Sequence, residues 1–333
     1  MQKFLIIQTA FIGDVVLATP LIEKLHAFFP DAQIDFLLRK GNESLLQGHP
    51  YLNKVLIWNK KEGKYRSLWN LLKLIRKHKY YKLINLQRFG ATGFLTAFSG
   101  AKEKIGFDKN PFSFMFDVAV KHAMKSDVQS PHETVRNLSL IEHFTDNSIY
   151  KPKLFPLPHD YNTVEEYKQW PYICIAPASV WFTKQYPKDK WVSFIQTLPG
   201  ALMVYLLGAP SEKQLCADIM HASGRHDIKS LAGELTFLQS AALMRDATMN
   251  YVNDSAPMHF ASAMNAPVTA VYCSTVPAFG YGPLSDKRYI VEVKENLDCR
   301  PCGLHGYKAC PLQHFNCAYH ISDQQLLETL GEL

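Results

Sequence analysis

The chain has 333 residues, 47% of them hydrophobic and 20% charged, with a formal net charge of +6. That balance belongs to a soluble globular protein, too long for one ordinary core and sized for two domains. No apolar run reaches membrane-spanning length. Gln8, Thr9 and Asp14 interrupt Phe4 to Pro20 and no small-residue cleavage site follows, so the start reads as a buried strand, a loop and a helix of a cytoplasmic protein, not a signal peptide.

Lys3 to Gln8 is a buried-strand run, and Val15, Ala18, Leu21, Ile22, Leu25 and Phe29 have helical spacing, which predicts a helix over Asp14 to Phe29. Thr9 to Gly13 is the loop between them, and Pro30-Asp31 stops the helix. A strand over Ile34 to Leu38, a helix near Asn42 to Gln47, a strand over Val55 to Trp58, a helix over Tyr65 to His78 and a strand over Leu83 to Leu86 continue the alternation. Alternation of this kind means a parallel sheet covered on both faces, with ligands at the carboxyl ends of its strands.

Thr145 to Pro171 holds four prolines and no sustained periodicity, and its later part is the expected linker, dividing the chain into residues 1–160 and 161–333. A second alternating series follows. Strands are predicted over Tyr172 to Ala176, Leu202 to Leu207, Ile228 to Leu231, Thr248 to Val252 and Val268 to Tyr272. Helices are predicted over Lys188 to Leu198, Ser211 to Ala222, Phe237 to Arg245 and His259 to Met264. Thr236 with Gln239 and Ser322 with Gln325 have capping-box spacing. The expected class is α/β, with two doubly wound halves facing across a cleft.

Charge is unevenly spread. Lys54 to Lys125 holds an excess of Lys and Arg that makes the rest of the chain net negative, so the first half suits an acidic partner or simply carries a solvated basic face. Seven cysteines without an export signal argue against a disulfide framework. Cys299, Cys302, Cys310 and Cys317 match a zinc or iron–sulfur site in number. Their spacing lacks the second C-x2-C of a zinc ribbon, and a reduced packing cluster or a labile disulfide fits as well.

Neither G-x-G-x-x-G after the first strand nor a P-loop is present, so phosphate must be held another way. Two stretches could do it. Asn253 to His259 runs from a strand into a helix, with Asp254 and Ser255 as N-cap types and Pro257 suited to the first turn, so its amides can meet an anion. Ala176 to Lys184 leaves the first strand of the second half. Lys184 can reach a phosphate as a point charge, with Ser179 and Thr183 as hydrogen-bond donors. Together they suit a diphosphate. In the first half, Asp14 is the only acidic residue before Glu23. It is a candidate general base, or it simply favours the helix dipole; a base role needs desolvation or an acidic neighbour to raise its proton affinity.

Ile12 to Leu21, Leu86-Gln87-Arg88, Ser99-Gly100-Ala101 with Ile105-Gly106-Phe107, Lys184-Gln185-Tyr186-Pro187, Asn253 to His259 and Cys299-Arg300-Pro301-Cys302 occur in this order. In these motifs the chain resembles glycosyltransferase family 9, the lipopolysaccharide heptosyltransferases. The resemblance implies a GT-B fold of two Rossmann-like domains, an acceptor held by residues 1–160, and an ADP-heptose donor held by residues 161–333, which include the Cys-rich loop 299–317. It implies inversion without a metal or other cofactor. Asp14 matches the proposed base, and Lys184, Ser179, Val180, Leu235, Asp254, Ser255, Ala256 and His259 match donor contacts. Lys60, Lys61, Lys64, Arg66 and Arg88 would face the phosphorylated lipid A core acceptor. The implied protein is a monomer, peripheral on the inner face of the inner membrane, with no nucleic-acid partner. Ala256 stands where many members have Gly, Tyr186 where Trp is common and Gln8 where Arg is frequent.

Overall fold

A computed structural model describes residues 2–60, 63–123 and 130–331. They form two compact units. One holds the described residues up to Phe155 other than Ser130; the other holds Ser130 and the described residues from Pro156 onward.

In the first unit the strands are β1 (Lys3–Ile7), β2 (Gln33–Arg39), β3 (Leu52–Trp58), β4 (Lys82–Asn85), β5 (Glu103–Phe107) and β6 (Val118–Val120), all parallel, in the order β3-β2-β1-β4-β5-β6. Phe4, Leu5, Ile6 and Ile7 are fully buried because helices cover both faces of the sheet. Burying each such side chain contributes roughly 1.5–3 kcal/mol. The helices are α1 (Ile12–Val16), α2 (Thr19–Phe28), α3 (Lys64–His78), α4 (Gly90–Ala97) and α5 (Glu133–Ser139).

The single helix expected over Asp14 to Phe29 is therefore two. Pro20 has no N–H to donate to the Val16 carbonyl, and its ring crowds that position. The helix breaks at Leu17-Ala18, and the Thr19 hydroxyl takes over by donating to the Val16 carbonyl at 2.8 Å. The expected helix near Asn42 is one 3-10 turn over Glu43–Leu46.

The second unit repeats the plan with β7 (Tyr172–Ala176), β8 (Met203–Leu206), β9 (Ile228–Ser230), β10 (Met249–Asn253), β11 (Val268–Tyr272) and β12 (Arg288–Glu292), again all parallel, ordered β12-β11-β10-β7-β8-β9. Its helices are α6 (Pro158–Val164), α7 (Lys188–Thr197), α8 (Lys213–Ser223), α9 (Phe237–Arg245), α10 (Ala256–Ala263), α11 (Asn316–Tyr319) and α12 (Asp323–Leu327). The chain divides at Phe155/Pro156 and not at residue 160, because α6 packs on α9 and so belongs to the second unit. Both capping pairs form: the Thr236 hydroxyl accepts the Gln239 N–H at 3.2 Å, and Gln325 Oε1 accepts the Ser322 N–H at 3.0 Å.

Counted within each unit, both sheets have strand order 3-2-1-4-5-6. The order reverses between β1 and β4 in one and between β7 and β10 in the other. Loops leaving the carboxyl ends of those strands border the crevice where doubly wound sheets bind ligands.

Candidate active site

At the switch point of the first unit the chain leaves β1 through Gln8, which is buried, its Oε1 accepting the Ala10 N–H at 3.2 Å and the Gln87 side-chain amide. Asp14 is the third residue of α1, and its Oδ2 accepts the Phe11 N–H at 3.0 Å. That bond and the helix terminus favour the carboxylate. The surroundings outweigh them. Although the side chain keeps a partial opening to solvent, burial first and the nearby charge of Glu133 second push the Asp14 pKa up to about 6. Glu133 is itself buried at the start of α5 and accepts from Arg136 Nε at 2.9 Å. A carboxylate with this pKa is mostly ionised at neutral pH, yet takes a proton more readily than an ordinary aspartate. Both properties are needed of a general base.

Lys60 lies beside this loop, its Nζ donating to the Thr9 carbonyl at 3.0 Å and to the Thr9 hydroxyl at 3.2 Å, and packing over the Trp58 ring. Burial, then Arg39, lowers its pKa. Thr9, Trp58, Lys60, Phe89, Ala91 and Thr92 line a cavity of about 190 Å³. Arg66 is exposed on α3, bordering a groove with Ile57, Asn70 and Leu74. Lys64 opens α3, Arg88 is exposed just after β4, and Lys61 lies outside the described residues.

In the second unit the two stretches expected to hold an anion meet across the switch point. Lys184 Nζ sits 2.6 Å from Asp254 Oδ2, which also accepts the Thr275 hydroxyl at 2.7 Å. Asn253, fully buried at the end of β10, locks the two loops together: its Oδ1 accepts the Tyr186 N–H at 2.9 Å and its Nδ2 donates to the Pro177 carbonyl at 2.8 Å. Ser255 holds the N-cap position of α10, but its hydroxyl turns back to the Asn253 carbonyl at 3.3 Å. No side chain caps this terminus, and Pro257 has no N–H. The Ser255 and Ala256 amides thus present donors and the positive end of the helix dipole at the crevice.

Ala256 occupies the first helical position, where the backbone has no need of glycine. His259 is buried one turn on. Ser179 is half-exposed and its carbonyl accepts from Gln185 at 2.6 Å; Val180 is exposed. Leu235 stands half-exposed in the loop between β9 and α9, at the same carboxyl edge. Tyr186 belongs to the core: it is buried against Trp191, and its hydroxyl donates to the Ile321 carbonyl at 3.3 Å.

The Cys-rich segment is a brace for this site. Arg300 donates to the Cys273 carbonyl at 2.7 Å and the Thr275 carbonyl at 2.8 Å, and pairs with Glu292 at 2.6 Å, tying the segment to the ends of β11 and β12. Thr183 N–H donates to the Tyr307 carbonyl at 3.1 Å, and the Tyr307 N–H returns to the Thr183 hydroxyl at 2.7 Å. Gly306, at φ +75°, lies so close that an added Cβ would stand 2.8 Å from the Thr183 hydroxyl oxygen and 3.1 Å from Lys184 Cγ. Cys299, Cys302, Cys310 and Cys317 are all free thiols lining one cavity of about 270 Å³. Burial raises the Cys302 pKa and takes that of Cys317 to about 12, which favours thiol over thiolate. Among the described residues no group of three or more His, Cys, Asp or Glu side chains is arranged to hold a metal.

Glu133 and Thr275 were not among the expected site residues. Glu133 lies far from Asp14 in sequence and nothing local marks it. Thr275 had a legible signal, as part of a polar run directly after a buried parallel strand, Cys273-Ser274-Thr275.

A family model described as glycosyltransferase family 9 (heptosyltransferase) matches residues 68–308, well over half the chain. The chain is 27% identical over 283 residues to lipopolysaccharide heptosyltransferase 3 of Escherichia coli, covering 80% of this chain and 82% of that one. Among solved structures, E. coli ADP-heptose lipopolysaccharide heptosyltransferase II matches with a TM-score of 0.80 at 20% identity, over 99% of this chain and 97% of that one. E. coli heptosyltransferase WaaC, solved with ADP, matches with a TM-score of 0.74 at 17% identity, over 99% of this chain and all of that one. At these identities the structures show the fold, which is GT-B with two Rossmann-like units. The family match, spanning both units, adds the enzyme class: the chain is a glycosyltransferase and belongs to glycosyltransferase family 9, the heptosyltransferases.

Proposed function

We propose that the chain transfers heptose from ADP-heptose to the inner core of lipopolysaccharide, either to the Kdo–lipid A end or to the first heptose, with inversion and without a metal. The observation that carries this reading is the division of labour between the switch points. One Rossmann unit holds a carboxylate of raised proton affinity, Asp14, and the other a cation and an uncapped helix terminus. Relatives named as lipopolysaccharide heptosyltransferases, and one solved with ADP, support the choice of donor and acceptor.

In this mechanism Asp14 takes the proton of the acceptor hydroxyl as its oxygen attacks the anomeric carbon. The bond from that carbon to the β-phosphate oxygen breaks, and ADP leaves with the electron pair. Lys184 and the Ser255 and Ala256 amides stabilise the charge that grows on the diphosphate, a contribution made mainly in the transition state. Asp254 holds the Lys184 ammonium beside α10 through one of its three donors, leaving the others for phosphate oxygens. Ser179, Val180, Leu235 and His259 complete the donor site. Lys60, Lys61, Lys64, Arg66 and Arg88 attract the phosphorylated acceptor, and the enzyme works as a peripheral protein on the inner face of the inner membrane.

The test is turnover of ADP-heptose with a deacylated core acceptor, with product mass and anomeric configuration read out. Transfer from UDP- or GDP-sugars in preference to ADP-heptose would replace the donor assignment, and no turnover with any donor would make the chain a nucleotide-binding protein only.

A further inference from the structure

Helix α3 has two unlike stripes. Leu71, Leu72 and Ile75 point inward and pack with Tyr80, Leu83 and Leu95 in the core of the first unit. The outward stripe is not the polar face of an ordinary crossover helix. Tyr65 is 80% exposed and Trp69, one turn on, 53%, with Leu74 also exposed; Lys73, Arg76 and Lys77 follow, all exposed. The neighbouring α4, packed on α3, adds the exposed Phe98 at its end. From Gly63 to Lys102, which spans α3, β4 and α4, there is no acidic residue.

We infer that this face is a membrane-docking surface for anionic lipid, with Trp69 seated at headgroup level and Lys73, Arg76 and Lys77 pairing with lipid phosphates. The inference deepens the membrane part of the function proposed above by naming the face that meets the bilayer. Two features select a lipid surface over other acidic partners. The stretch from Gly63 to Lys102 carries no carboxylate to repel an anionic leaflet, and each Lys or Arg near such a surface is worth about 1 kcal/mol, or roughly fivefold in partitioning. The interspersed Trp, Leu and Phe side chains gain from an interfacial setting, whereas nucleic-acid phosphates offer them nothing.

The test uses the full chain and co-sedimentation with vesicles of phosphatidylethanolamine containing a quarter phosphatidylglycerol, against pure phosphatidylcholine. Wild type should partition to the anionic vesicles. The triple variant Lys73→Gln/Arg76→Gln/Lys77→Gln should lose more than tenfold, and Trp69→Ser several-fold, of that partitioning, while both turn over a deacylated acceptor in solution at the wild-type rate. Normal turnover shows that the variants fold and keeps this test separate from the catalytic assignment. Variants that pellet with anionic vesicles like wild type would overturn the inference. So would equal binding of wild type to neutral vesicles, binding to single-stranded poly(dT) in place of vesicles, or a solution dimer that Trp69→Ser dissociates.

Discussion

The two units share one strand order and one location for their candidate site residues, and they differ in the electrostatics built there. In the first, a carboxylate at the switch point stands near a second carboxylate, Glu133, and its proton affinity rises. In the second, the switch-point carboxylate, Asp254, is matched at 2.6 Å by Lys184 and at 2.7 Å by the Thr275 hydroxyl. The same scaffold thus raises a carboxylate's proton affinity where burial and like charge crowd it, and holds a cation beside a helix terminus where its carboxylate is paired, the two arrangements that the proposed base and anion-cradle roles call for. Strand order sets where chemistry can occur; a few side chains on the crevice loops decide which chemistry it is.

The contrast is most directly broken at Asp14. Asp14→Asn keeps the acceptor for the Phe11 N–H but cannot take a proton, so kcat should fall by a factor of about 10²–10⁴ with ADP affinity unchanged. Full activity in this variant would remove the base role. Lys184→Ala should act on the other unit alone, weakening ADP about ten- to hundredfold by calorimetric titration, as expected for losing a charge-assisted hydrogen bond. Unchanged ADP affinity would reduce Lys184 to a partner of Asp254.

A smaller effect concerns pH. A base must be ionised to act, so with Asp14 in the proposed role kcat/KM should fall as pH drops through about 6. The same raised pKa works against folding at high pH. Its stabilising contribution is fully present below the unfolded value of 3.8 and is lost as pH rises through the folded value of about 6. Asp14→Asn should therefore melt above wild type at pH 8, with the difference closing toward pH 4; an inverse trend would show that the site stabilises the ionised form. The finest adjustment is Glu133→Gln, which removes the second cause of the raised pKa and should move the acid limb of the rate profile to lower pH. An unmoved limb would leave burial as the sole cause.

Much of this was legible in the sequence because it depends on local rules. Buried parallel strands read as continuous apolar runs, and the loops and helix starts at their carboxyl ends, with Asp14, Lys184 and Asp254 on them, follow from strand–helix alternation alone. Residues that act at a distance were not legible. Glu133 acts on Asp14 from α5, and Arg300 reaches from a Cys-rich segment, which the sequence left open between a metal site, a packing cluster and a labile disulfide, to hold the strand ends beneath Lys184. Pro20, visible in the sequence, splits the first helix because a missing donor outweighs good apolar spacing.

By itself, then, the sequence determined the α/β class, the two-unit plan and the loops and helix starts on which the candidate site residues lie, since these rest on periodicity and on the chemistry of single residues. Only the tertiary structure decided the proton affinity of Asp14, the pairing of Lys184 with Asp254, the bracing role of the cysteine segment and the outward aromatic stripe of α3. Each depends on burial and on charges brought together from distant parts of the chain, and these are set by packing, not by spacing along it.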